Sequence, residues 1–353
     1  MATDRKTYLI TQGAVYEEEQ LKGFSKTPPK LSTNTVSVIS SLSLISVDGT
    51  DRQKFLQGQI STHMMQLGAL NHSTGVACSP KGRMYTNFRI MNNGKRYLLA
   101  MNSGLTETTI ETLKKYAVFF KVDLTPQPDY VVLGLSGENI DTILAKIFPD
   151  SPLPKQNEVI EVPGSGYLIK VPGIRARYEL WLHQNDLPQW WTELTKELTP
   201  ATEDFWQLLS IESVIPELRE ETIDKYIPQH LNQPSLGGVS FRKGCYTGQE
   251  IVTRMQNLGQ QKSRCYWLSL ESPLKNPVEP PNINTRLYNG DGKPVGEIIQ
   301  SASNIESNKI ELLAVIRIDA AEANDVYLTP EKSHQLKVHD LPYAIDPKAE
   351  LQK

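Results

Sequence analysis

The residues best suited to chemistry lie in the stretch FRKGCYTGQEIVTR, residues 241–254. Cys245 follows Arg242 and Lys243 and stands just ahead of a segment whose apolar spacing predicts a helix. Cations and the amino terminus of a helix both favour the thiolate, which is the nucleophilic and metal-binding form of cysteine. Two interpretations are open: Cys245 is a functional thiol, or it is a small core residue at a turn.

The cysteine content argues against a metal site or a disulfide framework. The three cysteines are widely spaced, and no second cysteine or histidine stands at a chelating spacing from the thiol of the 241–254 stretch: Cys78, Cys245 and Cys265. We therefore expect no metal site. An odd number of scattered cysteines is typical of a reducing compartment.

Composition and charge set the class of protein. At 353 residues the chain is long enough for two or three domains, at roughly 100–200 residues per domain. With a net charge of −3 the chain has no excess of basic residues to bind phosphate backbones, so we expect no direct nucleic-acid binding. No window approaches about 18 consecutive apolar residues, and acidic residues interrupt the amino-terminal stretch where a secretory signal would be apolar. These features predict a cytoplasmic protein with no membrane span.

A helix is predicted directly after Cys245. Thr247 and Glu250 have the spacing of a capping box, in which each side chain satisfies a backbone N–H of the other residue. Gly259 is the predicted end of the helix. The apolar residues that would share one side of this helix are Ile251, Val252, Met255 and Leu258.

The rest of the chain predicts an α+β fold with three parts. Residues 1–35 are polar with a cluster of helix-breaking residues, which is typical of a flexible, loosely held arm. Two α+β units are expected, over about 36–125 and 126–268, followed by a β domain over 269–353 that opens with a proline-rich linker at 271–282. The predicted strands lie at 36–49, on both sides of the 80–82 turn, at 95–101, 130–137, near 159–171, at 178–183, within 285–302, at 309–318 and at 325–330. The predicted helices lie at 50–62, with Phe55, Leu56 and Ile60 on one side, and at 106–120, 139–148, from about 187, and at 202–215.

Several motifs along the chain resemble one known family. The block KGCYTGQE, with LGGVSFR directly before it, closely resembles the signature of the YgfZ family. These are folate-binding proteins related to the glycine-cleavage T-protein and to the mitochondrial assembly factors that support iron–sulfur enzymes. Further motifs occur in the family's order over roughly residues 40 to 345, namely DRQKFLQGQIST, SPKGRMYTNFRI, LKKYAVFFKV, FWQLLSIESVIPEL, YIPQHLNQPSLGG and the final LPY.

The resemblance implies a fold, a cofactor and partners. The fold would be three-lobed and T-protein-like, with the two α+β units around a central folate cavity and a carboxy-terminal β-barrel. The cofactor would be tetrahydrofolate. The partners would be iron–sulfur enzymes or their assembly factors, including cluster-dependent enzymes that modify tRNA.

The resemblance also implies a functional role for the signature motif: Lys243, Gly244, Cys245, Tyr246, Gly248, Gln249 and Glu250. Three chemical roles for Cys245 remain open: a nucleophile, a transient cluster or redox contact, and a neighbour of the folate.

Two residues ahead of the signature are candidates for folate binding by the same resemblance. Trp206 matches a tryptophan implicated in folate binding, and a flat pterin or aminobenzoyl ring stacks well on a large aromatic surface. Glu212 stands where related T-proteins use a glutamate to hold the pterin edge, since a carboxylate accepts two parallel N–H bonds. The alternatives are a core anchor for Trp206 and a solvated helix residue for Glu212.

The sequence departs from the family pattern at two places. Leu42 occupies the position of a second folate-associated tryptophan, so one aromatic face is missing. Thr86 and Asn87 occupy the position of the Asp pair of aminomethyl-transferring T-proteins, and neither residue can act as a charged acid or base. A folate-binding accessory protein is the leading hypothesis. The alternatives are a folate-dependent one-carbon transferase and a thiol-based interaction protein with a vestigial folate cavity.

Overall fold

The structure is a computed structural model that describes residues 5–18, 20–24, 29–164, 166–271 and 279–351. It has the predicted α+β composition. The strands are β1 (Ala14–Glu17), β2 (Gln20–Phe24), β3 (Thr35–Val38), β4 (Leu42–Asp48), β5 (Asn71–Cys78), β6 (Met84–Asn92), β7 (Tyr97–Asn102), β8 (Asp123–Pro126), β9 (Tyr130–Ser136), β10 (Val159–Val162), β11 (Gly166–Val171), β12 (Arg177–His183), β13 (Thr199–Ala201), β14 (Ser263–Glu271), β15 (Arg286–Tyr288), β16 (Pro294–Asn304), β17 (Lys309–Arg317) and β18 (Lys337–Val338).

The α-helices connect and cover the sheets. They are α1 (Arg5–Thr11), α2 (Arg52–Gln59), α3 (Thr106–Ala117), α4 (Ile140–Ile147), α5 (Leu187–Leu194), α6 (Glu203–Glu212), α7 (Gln249–Leu258), α8 (Ile318–Glu322) and α9 (Pro347–Glu350). Among the described residues, none of these helices is long and apolar enough to cross a membrane.

In the part of the chain that the structure describes, three sheets form the body of the molecule, and a separate hairpin pairs β1 with β2. The first sheet has the order β5-β6-β7-β4-β8, the second β10-β11-β12-β9-β3-β13, and the third β15-β16-β17-β14-β18. The first two sheets share a buried apolar cluster that contains Leu44 and Met91 of the first sheet, Ile169 and Trp181 of the second, and Leu209 of α6. The space between these two sheets is where a central cavity is expected.

The single strand predicted over 36–49 is wrong, because the chain changes sheets within it. β3 pairs with β9 in the second sheet, and β4 pairs with β7 in the first. The backbone N–H groups of Ser40 and Ser41 donate to the carboxylate of Glu203 at 3.0 Å, so they are not available to a strand ladder. This side-chain contact, 162 residues away along the chain, gives no local signal in the sequence.

The amino-terminal segment, expected to be a flexible arm, contains regular structure in its described residues 5–18 and 20–24. It forms α1 and the β1-β2 hairpin. Leu9 is fully buried, and the ring of Phe24 stacks on Trp191 of α5 with 5.5 Å between ring centroids. The polar composition of the segment concealed these contacts, because the apolar surface that receives them lies far along the chain.

The carboxy-terminal region is a curled half-barrel sheet, where the resemblance implied a β-barrel domain. Its strand β14 begins at Ser263, ahead of the predicted boundary at 269. The strand predicted at 325–330 is wrong, since among the described residues Tyr327 makes only isolated bridges, to Tyr288 and Gln335. Of the predicted linker at 271–282, residues 272–278 lie outside the described residues. The three-part division of the chain stays a prediction, and β3 and β14 cross its boundaries.

Candidate functional site

The signature helix α7 forms where it was predicted, but its predicted capping box does not. Gly248 is the N-cap, with φ of 83°, and no side-chain capping bond is present. A Cβ on Gly248 would lie 2.5 Å from the carbonyl oxygen of Ser79, so the tight approach of the 79–82 turn requires glycine here. The Thr247 hydroxyl instead donates to Oε1 of Gln59 at 3.2 Å, and Glu250 is exposed.

The signature motif is joined to the end of α2 and the turn after it. The Lys243 ammonium donates to the carbonyl oxygens of Ile60 and Thr62, the latter at 2.9 Å. It also lies 5.0 Å from the centre of the Tyr246 ring, which is buried. Burial lowers the pKa of Lys243 to about 7. These contacts link two of the family motifs, because Lys243 of the KGCYTGQE block binds backbone carbonyl groups of the QGQIST segment.

Cys245 is the exposed cysteine of the three. Cys78 and Cys265 are buried, and burial raises the pKa of both thiols, that of Cys78 to about 12. Within the described residues no group of three or more His, Cys, Asp or Glu side chains could hold a metal ion. A reaction that needs an accessible thiol can therefore use Cys245, whose neighbours Gly244 and Arg242 are exposed as well.

A channel runs between the first and second sheets. Strand register brings the lining together, since Arg89 stands opposite both Thr74 and Ala100 and therefore on the same face of the first sheet. One cavity on this face, here called the inner chamber, has a volume of about 80 Å³. Its lining is Leu42, Thr74, Asn87, Phe88, Arg89, Ala100, Met101, Asn102, Pro172, Glu179, Ile215, Pro216, Glu217, Gln233 and Leu236.

Two neighbouring cavities, here called the outer chambers, share parts of this lining. One, of about 300 Å³, has Thr74, Arg89, Pro172 and Leu236 in common with the inner chamber. The other, of about 420 Å³, shares His72 with the first outer chamber and borders Val239 and Ser240, just ahead of the signature block. The inner chamber alone is smaller than the roughly 300–1,000 Å³ that is usual for a drug-sized ligand, whereas each outer chamber is in that range.

The most informative residue of the channel is Glu179, which the sequence interpretation missed. It is 5% exposed and accepts hydrogen bonds from Arg89 Nε at 3.1 Å, from Arg89 Nη2 at 3.4 Å and from Trp181 Nε1 at 3.0 Å. Arg89 lies on the first sheet and Glu179 on the second, so this ion pair crosses the channel. A signal was present in RYELWL: Arg177 and Glu179 place two charged side chains on one face of a strand that is otherwise mostly apolar, and charged residues are rarely buried without a partner.

Trp206 lies in the core and is absent from the channel lining. It is 4% exposed, its ring covers Gly134, and the guanidinium of Arg177 lies 4.7 Å from the ring centre. A Cβ on Gly134 would lie 2.4 Å from the Trp206 ring, so this position of the strand requires glycine. This position favours the core-anchor alternative over stacking on folate.

The other two candidates from the sequence lie in different places. Glu212 is buried at the end of α6, 3.8 Å from Arg175, and is not in the channel lining. Burial raises the pKa of its carboxyl group, which Arg175 opposes. It is therefore not the solvated residue of the alternative interpretation. Leu42, in contrast, lines the inner chamber, at the place where the missing aromatic face would be.

Asn87 is held rigidly at the position of the T-protein Asp pair. Its Nδ2 donates to the carbonyl of Pro216 at 2.9 Å, and its Oδ1 accepts from the N–H of Leu218 at 2.8 Å. This clamp fixes the turn that carries Glu217 in the channel wall. Thr86 is buried on the other face of the strand, with its hydroxyl 3.7 Å from the sulfur of Met101. Neither side chain is a titratable group, and the Asn87 amide is committed to this clamp.

Replacing Asn87 by Asp is expected to destabilise the protein and to create no transferase. The carboxylate would face the Pro216 carbonyl with no proton to donate, at a cost of about 1–3 kcal/mol for a buried unpaired acceptor. Urea unfolding of Asn87→Asp measures this, with Asn257→Asp on the exposed side of α7 as the control. Aminomethyl transfer by Asn87→Asp, with unchanged stability, would contradict the structural role of this amide.

Comparison with known proteins defines first the fold and then the family. The crystal structure of the glycine cleavage system aminomethyltransferase T from Bartonella henselae matches with a TM-score of 0.76 and 13% identity, over 97% of this chain and 98% of that chain. The fold is therefore that of the T-protein aminomethyltransferases, as the sequence implied. No family model matches the chain.

Two similar proteins bear the name of the family that the sequence motifs resemble. The tRNA-modifying protein YgfZ of Yersinia pseudotuberculosis serotype O:1b is 30% identical over 325 residues, which is 91% of this chain and 97% of the relative. The YgfZ protein of Escherichia coli O7:K1 is 27% identical over 329 residues, covering 92% of this chain and 99% of the relative. The chain belongs to the YgfZ family.

Proposed function

We propose that this protein binds a reduced folate, tetrahydrofolate or a derivative, in the channel between its first two sheets. The observation that carries the proposal is the buried carboxylate of Glu179 at the inner chamber. The amino-pyrimidinone edge of a pterin offers two adjacent N–H donors, which a carboxylate accepts in a bidentate pair. In such a pair one pterin N–H would replace the 3.4 Å bond from Arg89 Nη2 at Oε1, and the other would replace the 3.1 Å bond from Arg89 Nε at Oε2, while Trp181 Nε1 keeps its bond to Oε2.

The outer chambers suit the aminobenzoyl-glutamate part of the ligand. His72 lines both of them and is 3% exposed. Burial lowers the pKa of His72 to about 3, with Arg89 contributing in the same direction and a hydrogen bond to the Lys170 backbone opposing both. The imidazole is therefore neutral, and because both ring nitrogens are buried it offers a ligand uncharged ring surface.

The same channel supports binding without turnover. Asn87 is committed to the 216–218 turn at the place where aminomethyl-transferring relatives carry their Asp pair. A general acid or base needs a titratable group at that position, and an amide has none. A folate-binding accessory role is therefore favoured over the transferase alternative.

The exposed thiol connects the folate channel to partner proteins in this proposal. The segment from Leu236 to Ser240 lines the channel, and Cys245 lies five residues beyond it at the surface. Relatives are named tRNA-modifying proteins. We infer that Cys245 is the contact through which the protein supports iron–sulfur enzymes, and that tRNA modification depends on those client enzymes.

Replacing Cys245 by Ser is expected to separate the two activities. Tetrahydrofolate affinity should stay within about twofold of wild type, because Cys245 lies outside the channel lining and the substitution removes no channel contact. Activity of an iron–sulfur tRNA-modifying enzyme should not be restored when Cys245→Ser replaces the wild-type chain in a cell that lacks it. Ser103→Ala is a control with no change at the signature. Full restoration by Cys245→Ser would contradict the thiol role and leave the folate proposal intact.

A further inference from the structure

An exposed apolar turn follows helix α3. Its adjacent side chains Val118 and Phe119 are 75% and 92% exposed. The next residue fixes the turn, since the N–H of Phe120 donates to the carbonyl of Ala117 at 2.8 Å and its ring packs edge-on against Phe55 of α2, with 5.4 Å between ring centroids. Single exposed apolar side chains are ordinary, whereas a contiguous pair held in water by the fold is typical of an interaction surface.

The far end of the turn is bonded to the start of α2. The N–H of Asp51 donates to the carbonyl of Lys121 at 3.2 Å, and the N–H of Lys121 donates to Oδ2 of Asp51 at 2.8 Å. Gly49 has φ of 102°, and a Cβ there would lie 2.2 Å from the Lys121 carbonyl oxygen, so the two segments are in direct contact. The apolar pair is therefore presented in one orientation, which reduces the entropy lost when a partner binds.

Helix α2 connects this turn to the signature motif. The N–H of Thr247 donates to the carbonyl of Gly58 at 3.2 Å, near the other end of the helix, which is about 12 Å long. A Cβ on Gly58 or on Gly244 would meet nothing within 4 Å, so another molecule can approach the backbone closely at both positions. Residues 114–121, α2 and residues 241–246 are together called the α2 face. An interface of usual size, roughly 800 Å² on each partner, is wide enough to cover it.

The α2 face is basic throughout. Residues 52–59, 114–121 and 241–246 contain no acidic residue, although the chain has 40 acidic and 37 basic residues. Asp51, directly beside the face, has one carboxylate oxygen bonded to the backbone of Lys121. Six cations reach the surface, and none makes an ion pair within the described part of the chain: Arg52, Lys54, Lys114, Lys115, Lys121 and Arg242. Such a surface is complementary to an acidic partner.

We propose that the α2 face docks onto an acidic surface of the iron–sulfur client enzyme, with Val118 and Phe119 inserted into an apolar pocket of that enzyme. The inference rests on the proposed function, because it takes Cys245 of the same face as the thiol that contacts this enzyme. An aromatic anchor surrounded by charged rim contacts is the usual anatomy of a protein interface. A nucleic-acid strand fits less well, because its bases stack on successive aromatic side chains and Val118 is aliphatic.

The test is the affinity of the full-length protein for its client enzyme, purified with its clusters and titrated anaerobically by calorimetry. The client is the iron–sulfur tRNA-modifying enzyme whose activity is lost in a cell that lacks this chain. Phe119→Ser should weaken binding at least about tenfold, because it removes the aromatic anchor. Its melting temperature should equal that of wild type, since the side chain is exposed. The control is Ile305→Ser, which removes an apolar side chain that is 71% exposed after β16 and should bind as wild type does.

Charge reversal tests the electrostatic part of the interface. We expect at least about tenfold weaker binding from the triple variant Lys114→Glu, Lys115→Glu and Lys121→Glu, and a wild-type affinity that falls as the salt concentration rises. The matched control makes the same change in charge at exposed lysines outside the face and should bind as wild type does: Lys146→Glu, Lys155→Glu and Lys332→Glu.

The outcomes separate this inference from the proposed function. If wild type binds the client enzyme and both Phe119→Ser and the 114–121 triple variant bind it equally well, the α2 face is not the docking surface, and the folate channel and the thiol contact are unaffected. If wild type does not bind the client enzyme, the docking surface and the thiol contact are both wrong. Binding of wild type to tRNA or to anionic phospholipid vesicles that Phe119→Ser abolishes, with no effect on the client enzyme, would also overturn the inference.

Discussion

Glu179→Gln is expected to weaken tetrahydrofolate binding by at least about 100-fold, which corresponds to roughly 2.7 kcal/mol. Hydrogen bonds to a charged partner contribute about 1.5–3 kcal/mol each, and the substitution turns one accepting oxygen into a donor that opposes the pterin N–H. In the variant the amide oxygen of residue 179 still accepts from Arg89 Nε and Trp181 Nε1, so we expect the protein to stay folded. Anaerobic calorimetric titration measures the affinity.

The control for this prediction is Glu161→Gln, the same chemical change on the exposed face of β10. Its tetrahydrofolate affinity should equal that of wild type. Melting curves of both variants show whether a lost affinity reflects the site or the fold. If Glu179→Gln binds tetrahydrofolate as tightly as wild type, the pterin is not held by this carboxylate.

Trp206→Ala is expected to reduce the free energy of unfolding by about 3–5 kcal/mol, the usual cost of removing a large buried aromatic side chain. The ring fills the space over Gly134 and receives the guanidinium of Arg177, which would lose its aromatic partner. Urea unfolding measures the loss. Trp206→Phe should recover part of it, because a smaller ring still covers Gly134.

The same variant distinguishes a core anchor from a folate-stacking residue. Under conditions where Trp206→Phe is fully folded, its tetrahydrofolate affinity should stay close to that of wild type, because Trp206 does not line the channel. A variant with normal stability and lost folate binding would restore the stacking role that the family resemblance implied. Affinity must therefore be compared only after the folded fraction has been measured.

Local patterns in the sequence predicted the elements that carry the signature, but not their ends. The spacing of Ile251, Val252 and Met255 predicted α7, and the structure confirms it. The capping box failed because the cap position is decided by the Ser79 carbonyl, 169 residues earlier in the chain, which admits only glycine. The helix predicted over 202–215 ends at Glu212, where Val214 adopts a left-handed conformation.

Patterns in a single sequence could not predict the channel either, because its residues come from distant parts of the chain. Its key pair joins Arg89 and Glu179, two residues on different sheets that are brought together only by the packing of those sheets. Trp206 was assigned by resemblance to a ligand role, whereas its contacts with Gly134 and Arg177 are set by the tertiary fold. The resemblance implied the fold and the family, and the tertiary geometry is the basis for the site residues proposed here.

The central claim is that the channel between the first two sheets holds a reduced folate by its pterin edge. The most direct measurement is the crystal structure of the protein saturated with 5-formyltetrahydrofolate. We predict the pterin ring in the inner chamber beside Leu42, with two N–H groups on the Glu179 carboxylate, and the aminobenzoyl-glutamate part leading outward past His72. A channel that stays closed by the Arg89–Glu179 pair at saturating ligand, or a folate bound elsewhere, would contradict the account.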